Sequence, residues 1–261
     1  MKFGITQGRL TNERKGILQK FPKNWENEFA FLTQTKLDYI ELFLENKINK
    51  NNPIWSRIGQ KKLLKTLTKT NLKHHIVCDN YILNKSLYNP KLTKYYKKLF
   101  RNVKAINCKL LIIPIDSKNF LSKNLSKFIN FIFFLKKESR KNKVKISLEV
   151  NENYEKFIKI LSNNKIKDIK ITFDTGNFYL TNKNVFKNLK KYYSLINHIH
   201  LKDRNIFGKN VVFGSGEIDF KNLFIFLKKK KYNKFFTFET NRGSDAVETA
   251  INNLKITKNL F

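Results

Sequence analysis

The sequence predicts an α/β fold, a single (β/α)₈ barrel occupying residues 1–261. Three observations carry this. Strand-like and amphipathic helix-like runs alternate eight times along the chain, the spacing of repeated βα units around a parallel sheet. Four short apolar runs, Val144–Glu149, Ile169–Asp174, Ile196–His200 and Phe235–Glu239, end on acidic or histidine side chains at gaps of 25, 26 and 39 residues, about one βα repeat each. No G-x-G-x-x-G turn follows the first run, which tells against a doubly wound open sheet.

The strand-like runs are Lys2–Gln7, Leu37–Phe43, Leu72–Cys78, Lys109–Ile115, Lys145–Val150, Ile169–Asp174, Ile196–Leu201 and Phe235–Thr240. Between them lie helix-like stretches at Asn24–Thr35, Pro53–Thr70, Pro90–Asn107, Asn119–Asn142, Asn153–Asn163, Lys183–Tyr193, Asp219–Lys231 and Ser244–Lys258. The longer irregular stretches, Gly8–Lys23, Glu45–Asn52 and Asp203–Ile218, all follow strands, on the side where barrels build their active sites.

Side chains alternate across a strand. Leu148, Phe173, Ile199 and Phe238 therefore face one way. Ser147/Glu149, Thr172/Asp174, His198/His200 and Thr237/Glu239 face the other. With the apolar face against helices, Glu149, Asp174, His200 and Glu239 converge at one end of the barrel. Three carboxylates and an imidazole suit one hard or borderline divalent cation. Glu149 and Glu239 could then flank a substrate carbon, one removing a proton and the other returning it, beside a cation that stabilises an enediolate. His198 lies one layer deeper than His200. Asp174 also stands where it could cap the next helix, and the glycine of Asp174-Thr175-Gly176-Asn177 leaves room for a ligand.

Lys202, Arg204, Gly214-Ser215-Gly216 and Arg242-Gly243-Ser244 follow the last two strands, where barrels often bind phosphate, so an anionic substrate group is expected. Glu41 and Asp79 are placed to reach sugar hydroxyls or to form structural ion pairs. Gln7 and Arg9 stand at the same end; His74 and His75 begin the third strand, at the other.

The net charge is +33, carried by 46 Lys against 7 Arg alongside abundant Asn, Ile and Phe. All four of those abundant types have A/T-rich codons, and a nucleic-acid surface favours the bidentate fork of Arg. The charge is read as compositional, with no specific nucleic-acid partner. The longest apolar run, Phe128–Leu135, is far short of a membrane span. Met1-Lys2 leads directly into a strand, leaving no room for a signal peptide. Cys78 and Cys108 read as buried small hydrophobes, and a cytoplasmic location is expected. Tyr95-Tyr96 and Tyr192-Tyr193 on outer helices would allow a homodimer.

Several segments resemble the xylose isomerase-like TIM barrel superfamily, in particular its sugar phosphate isomerase/epimerase family. They are Met1–Leu10, Leu37–Glu41, Val77–Tyr81, Asp174–Asn177, His198–Asp203 and Gly214–Phe220. The resemblance implies one divalent cation (Mn²⁺, Co²⁺ or Mg²⁺, with Zn²⁺ allowed) on Glu149, Asp174, His200 and Glu239. It implies that the two glutamates are the acid/base pair and that Glu155 contacts substrate. It also implies a small-molecule carbohydrate substrate and metal-dependent isomerisation or epimerisation. An inosose-type dehydratase or a non-catalytic sugar-binding barrel are the alternatives. Relatives often carry His where this chain has Asn177. The abasic-site endonucleases of the superfamily need three zinc ions and many histidines, and four histidines in all cannot supply them.

Overall fold

Leu110–Ile115 is apolar along its whole length, and in the computed structural model it forms β4 with all six side chains buried, as a parallel strand covered on both faces requires. The structure describes residues 1–11, 19–72, 75–83, 85–87, 89–120 and 125–260. The other barrel strands are β1 (Lys2–Thr6), β2 (Tyr39–Leu44), β3 (Ile76–Asp79), β5 (Lys145–Val150), β6 (Lys170–Asp174), β7 (Ile196–Leu201) and β10 (Phe235–Phe238). They close in the order β1-β2-β3-β4-β5-β6-β7-β10, and every neighbouring pair is parallel. A two-stranded ribbon, β8 (Asp203–Arg204) and β9 (Asn210–Val211), rises from the loop after β7.

The connecting helices are α1 (Trp25–Thr35), α2 (Arg57–Lys69), α3 (Pro90–Ala105), α4 (Leu125–Asn142), α5 (Tyr154–Asn163), α6 (Thr175–Asn182), α7 (Val185–Tyr192), α8 (Phe220–Lys229) and α9 (Ala246–Leu260). Their starts follow local chemistry: the side chains of Ser56, Asn89, Asn184 and Asp219 accept from backbone amides in the first turns of α2, α3, α7 and α8. Proline opens α3, at a position whose N–H would be unpaired anyway.

Several element boundaries differ from the sequence expectation. Lys36 and Asn71 adopt left-handed backbone at the ends of α1 and α2, so β2 and β3 begin later than Leu37 and Leu72. The stretch after Asp174 is a helix, α6, where a turn was expected. The stretch from Pro53 divides into a 3₁₀ turn (Pro53–Trp55) and α2, because Ser56 is extended and caps α2.

The strand alternation is as read. Leu148, Phe173, Ile199 and Phe238 belong to the core between barrel and helices. Inside the barrel a separate apolar floor is built from Tyr39, Ile76, Cys78, Leu110 and Ile112. Gly4 faces this floor: a Cβ there would sit 2.3 Å from the Tyr39 ring, so only glycine lets the ring cross the barrel axis. Above the floor Ser147 meets Thr172 and Asn197. Asn197 is the extra residue of a bulge, since Ile171 pairs with Ile196 and Thr172 already with His198. The bulge sets His198 and His200 in phase with the interior.

Tyr95, Tyr96 and Tyr192 are buried in the core and Tyr193 is packed against it. These side chains serve the packing of barrel against helices. Among the described residues no helix is long and apolar enough to cross a membrane.

Candidate active site at the C-terminal mouth of the barrel

The next inward layer closes the barrel with charge. Glu149 is the last residue but one of β5, Asp174 ends β6, and His200 lies in β7 directly opposite Asp174. Glu239 follows β10 by one residue and keeps the ladder through its amide, which donates to Leu201 O at 3.0 Å. The four side chains converge on one atom. His200 Nδ1 lies 3.2 Å from Glu149 Oε2, 3.3 Å from Glu239 Oε2 and 4.0 Å from Asp174 Oδ2.

That nitrogen is buried and has no hydrogen-bond partner, yet three carboxylates surround it. One donor atom from each of Glu149, Asp174 and His200 falls within 4.8 Å of the others. A divalent cation fits this cage: it needs oxygen and imidazole ligands and would satisfy the orphaned nitrogen.

Asp174 does two things at once. Its Oδ1 accepts from Asn177 N at 2.8 Å and caps α6, while Oδ2 faces the cage. The capping and ligand readings of this residue are therefore compatible. Asn177 donates from Nδ2 to Glu149 Oε1 at 3.0 Å and to Asn151 Oδ1 at 3.1 Å, so it orients a cage carboxylate. Gln19 Nε2 donates to the corresponding oxygen of Glu239. Each glutamate thus has its Oε1 held by an amide and its Oε2 turned to His200 Nδ1.

Lys202 is turned into the carboxylate cluster. Its Nζ donates to Asp174 Oδ2 at 2.8 Å and lies 3.1 Å from Glu239 Oε1, inside the carboxylate cluster. The space at Gly176 is filled by the same side chain: a Cβ there would meet the Lys202 stem at 2.8 Å. Asp203 uses up the glycine loop, accepting from Gly214 N and Gly216 N at 2.9 Å each. Arg242 is buried, with Nε donating to Gly8 O at 2.8 Å, and holds the loop after β1. Of the predicted basic residues, Lys202 and Arg204 reach the cavity, and Arg204 also donates to Gly208 O at 2.9 Å.

Two further predicted contacts lie elsewhere. Asp79 is the outward residue at the end of β3. It is fully buried, accepting from Tyr95 OH at 2.6 Å, and burial raises its carboxyl to about 6 although Tyr95 and Tyr96 oppose the shift. Glu155 is exposed in the first turn of α5 and pairs with Lys191. It borders an outer groove of about 510 Å³ that gathers no ligand set. Asn153, in left-handed backbone, turns the chain away from the mouth before Glu155.

Glu41 and His198 are buried beneath the cage. Glu41 Oε1 lies 2.9 Å from His200 Nε2, and His198 Nε2 lies 2.9 Å from Thr237 Oγ1. His75 is buried near the opposite end, and His74 lies outside the described residues.

Electrostatics separates the two glutamates. Burial pushes the Glu149 carboxyl up, helped by Asp174 and Glu239 and opposed by His200. Burial acts on Glu239 too, but Lys202, His200 and Arg9 outweigh it and hold that carboxyl well below the usual range. Burial would lower His200, and Glu41 with Glu149 more than reverses this. His198 is held neutral by burial and by His200.

The cage opens into a cavity of about 350 Å³, whose lining includes Thr6, Gln19, Asn80, Asn151, Asn177 and Arg204. Asn80 and Asn151 were missed, although a signal existed: each is two residues beyond an inward residue, Cys78 or Glu149. Gln19 sits in a long loop with no periodicity to place it.

Fold and cage together define a (β/α)₈ barrel with three carboxylates and a histidine gathered at its C-terminal mouth. The chain belongs to the xylose isomerase-like TIM barrel family, whose model matches residues 29–260. No curated protein sequence matches the chain. Among solved structures, the D-allulose 3-epimerase of Methylomonas sp. in complex with D-allulose superposes with a TM-score of 0.79 at 14% identity, covering 100% of this chain and 97% of that one. The 3-keto-D-glucoside 4-epimerase of E. coli gives 0.73 at 16% identity, with 99% of each chain covered. A probable 3-DHS dehydratase of Bacillus anthracis gives 0.76 at 13%, again with 99% of each covered. At these identities the likeness is one of fold.

Proposed function

We propose that the chain is a divalent-metal-dependent isomerase or epimerase of a sugar or sugar derivative. The observation that carries this reading is the convergence of Glu149, Asp174, Glu239 and His200 on one orphaned nitrogen, with both glutamates bordering the cavity. A divalent cation held by these four residues would supply a Lewis acid beside the carbon being deprotonated. Mn²⁺, Co²⁺ or Mg²⁺ suits the carboxylate-rich set.

The protein's own groups do the rest. Glu149 takes a proton from substrate at Oε1, the oxygen that Asn177 steadies. Glu239 stands on the other side of the cage for its return. The amides of Asn80, Asn151, Asn177 and Gln19 offer both donors and acceptors to sugar hydroxyls. Arg204 is the basic side chain at the cavity best suited to a phosphate, because Lys202 and the amides of Gly214 and Gly216 already hold carboxylates of the chain.

One observation favours a second reading, a dehydratase. Glu239 Oε1 already faces Lys202, Gln19 and Arg9, whereas Glu149 Oε1 receives Asn177. A single freer carboxylate suits β-elimination, which needs one base, better than two-sided proton exchange. The two free, buried cysteines suit a reducing cytoplasm.

The test is to incubate the protein with Mn²⁺ in D₂O against ketoses, ketose phosphates and inososes, following mass. Deuterium uptake at one carbon, lost in Glu149→Gln, is the expected result; loss of water selects the dehydratase. If Glu149→Gln exchanges as fast as the native protein, the catalytic reading is wrong.

A further inference from the structure

His200 offers its two nitrogens to two different neighbours. Nδ1 faces the cage, and Nε2 faces Glu41 Oε1 at 2.9 Å from below. Glu41 is completely buried and is itself held in place: Thr237 Oγ1 donates to its Oε2 at 2.7 Å. The hydroxyl of Thr237 lies 2.9 Å from Tyr39 OH, and Tyr39 donates to Phe236 O at 2.7 Å. His198 Nε2 completes the layer, 2.9 Å from Thr237 Oγ1 and 3.3 Å from Glu41 Oε2.

An ionised carboxylate only accepts hydrogen bonds. The His200 nitrogen facing Glu41 must therefore carry a proton, so Nδ1 is the nitrogen whose lone pair a cation in the cage can take. The opposite tautomer would aim an N–H at the place where a cation is to sit.

We propose that Glu41 is a positioning residue for the cation. It never touches the ion, but it selects the His200 tautomer and fixes the ring plane, so metal affinity depends on it. The inference rests on reading the cage as a cation site. Glu41, His198 and His200 are also close enough together to suggest a second ion. However, the Thr237 hydroxyl is bonded to both of the first two, so their facing atoms are already spent on hydrogen bonds. The layer is a support, and one ion per chain is expected.

The experiment titrates the full-length metal-free protein with Mn²⁺ by calorimetry, comparing native, Glu41→Ala and Glu41→Gln. The native chain should bind one Mn²⁺. Glu41→Ala should bind it about 10–100-fold more weakly, the usual cost of losing such a partner. Glu41→Gln should recover part of that, because its amide oxygen still accepts from Nε2–H.

Proton NMR of the Co²⁺-loaded proteins supplies a readout that a general packing defect would not move. The exchangeable Nε2–H resonance of His200, shifted by the cobalt, should exchange slowly in native protein and rapidly in Glu41→Ala.

Native-like affinity and a slowly exchanging N–H in Glu41→Ala overturn the inference. So do two Mn²⁺ per native chain falling to one in the variants, which would make Glu41 a ligand. If Glu41→Ala does not fold, native affinity and native exchange in Glu41→Leu, which also lacks an acceptor, overturn it equally. Failure of native protein to bind Mn²⁺ removes the cation reading itself and is recognisable as that separate result.

Discussion

Lys202 does not pair with its sequence neighbour. Asp203 is adjacent in sequence, yet the ammonium pairs with Asp174 and Glu239, because residues 198, 200 and 202 share the inward face while 203 points out. The structural consequence is a buried cluster in which one lysine offsets several carboxylates. Removing one partner of a buried ion pair costs about 3–5 kcal/mol, since the remaining charges are left uncompensated. Lys202→Met should therefore destabilise the metal-free protein by that order. A divalent cation in the cage would supply the missing positive charge and stabilise the native state by mass action. Urea unfolding with and without Mn²⁺ should show most of the loss recovered by the metal; an equal loss in both conditions would refute the cluster's role as a cation site. The cage residues themselves were legible because strand alternation and strand-end position fix where they point. Glu155 was not, because its placement depends on the left-handed turn at Asn153, which leaves no periodic trace in sequence.

At the level of elements, α1 holds the loop after β1 through a single carboxylate. Glu28 accepts from Gly8 N at 2.8 and 2.9 Å and from Leu10 N at 3.1 Å, fully buried. Burial raises its carboxyl to about 7, although those backbone amides oppose the shift. A group whose pKa is higher folded than unfolded favours the native state when protonated. Its contribution is complete below the unfolded value of 4.5 and is lost as pH rises through about 7. The difference is on the order of 3 kcal/mol. Asp79 acts in the same direction, raised from 3.8 to about 6. Urea unfolding of native protein and Glu28→Gln from pH 4 to 8 should show a fall in native stability that is smaller in the variant, where only the Asp79 share remains; parallel curves would contradict the assignment. The loop carries Arg9, which reaches Glu239, so the clamp bears on the site. Helix starts were readable where Ser, Asn or Asp caps precede apolar periodicity. α6 was not, because Thr175–Asn182 is short, starts with a glycine at its second position and keeps Leu180 exposed. Its cap is Asp174, and its packing under Lys202 and Arg204 overrides weak intrinsic propensity.

For the molecule as a whole, charge is divided between inside and outside. Eight of the 20 acidic residues are buried among the described residues, against three of the 53 basic ones. The surface is therefore more one-sidedly positive than the net charge of +33 conveys. The acids turned inward include those that build the cage and clamp the first loop; many of the lysines left outside lie on helix faces. Such a surface binds polyanions by counterion release, without reading their sequence. Heparin and unrelated single-stranded RNAs should bind with the same steep salt dependence and be released at several tenths molar salt. Because the cage lies inside the barrel mouth, saturating it with Mn²⁺ should leave that binding unchanged. A preference for one RNA sequence that survives high salt, or competition between RNA and Mn²⁺, would show instead that the positive surface is a recognition site continuous with the cavity.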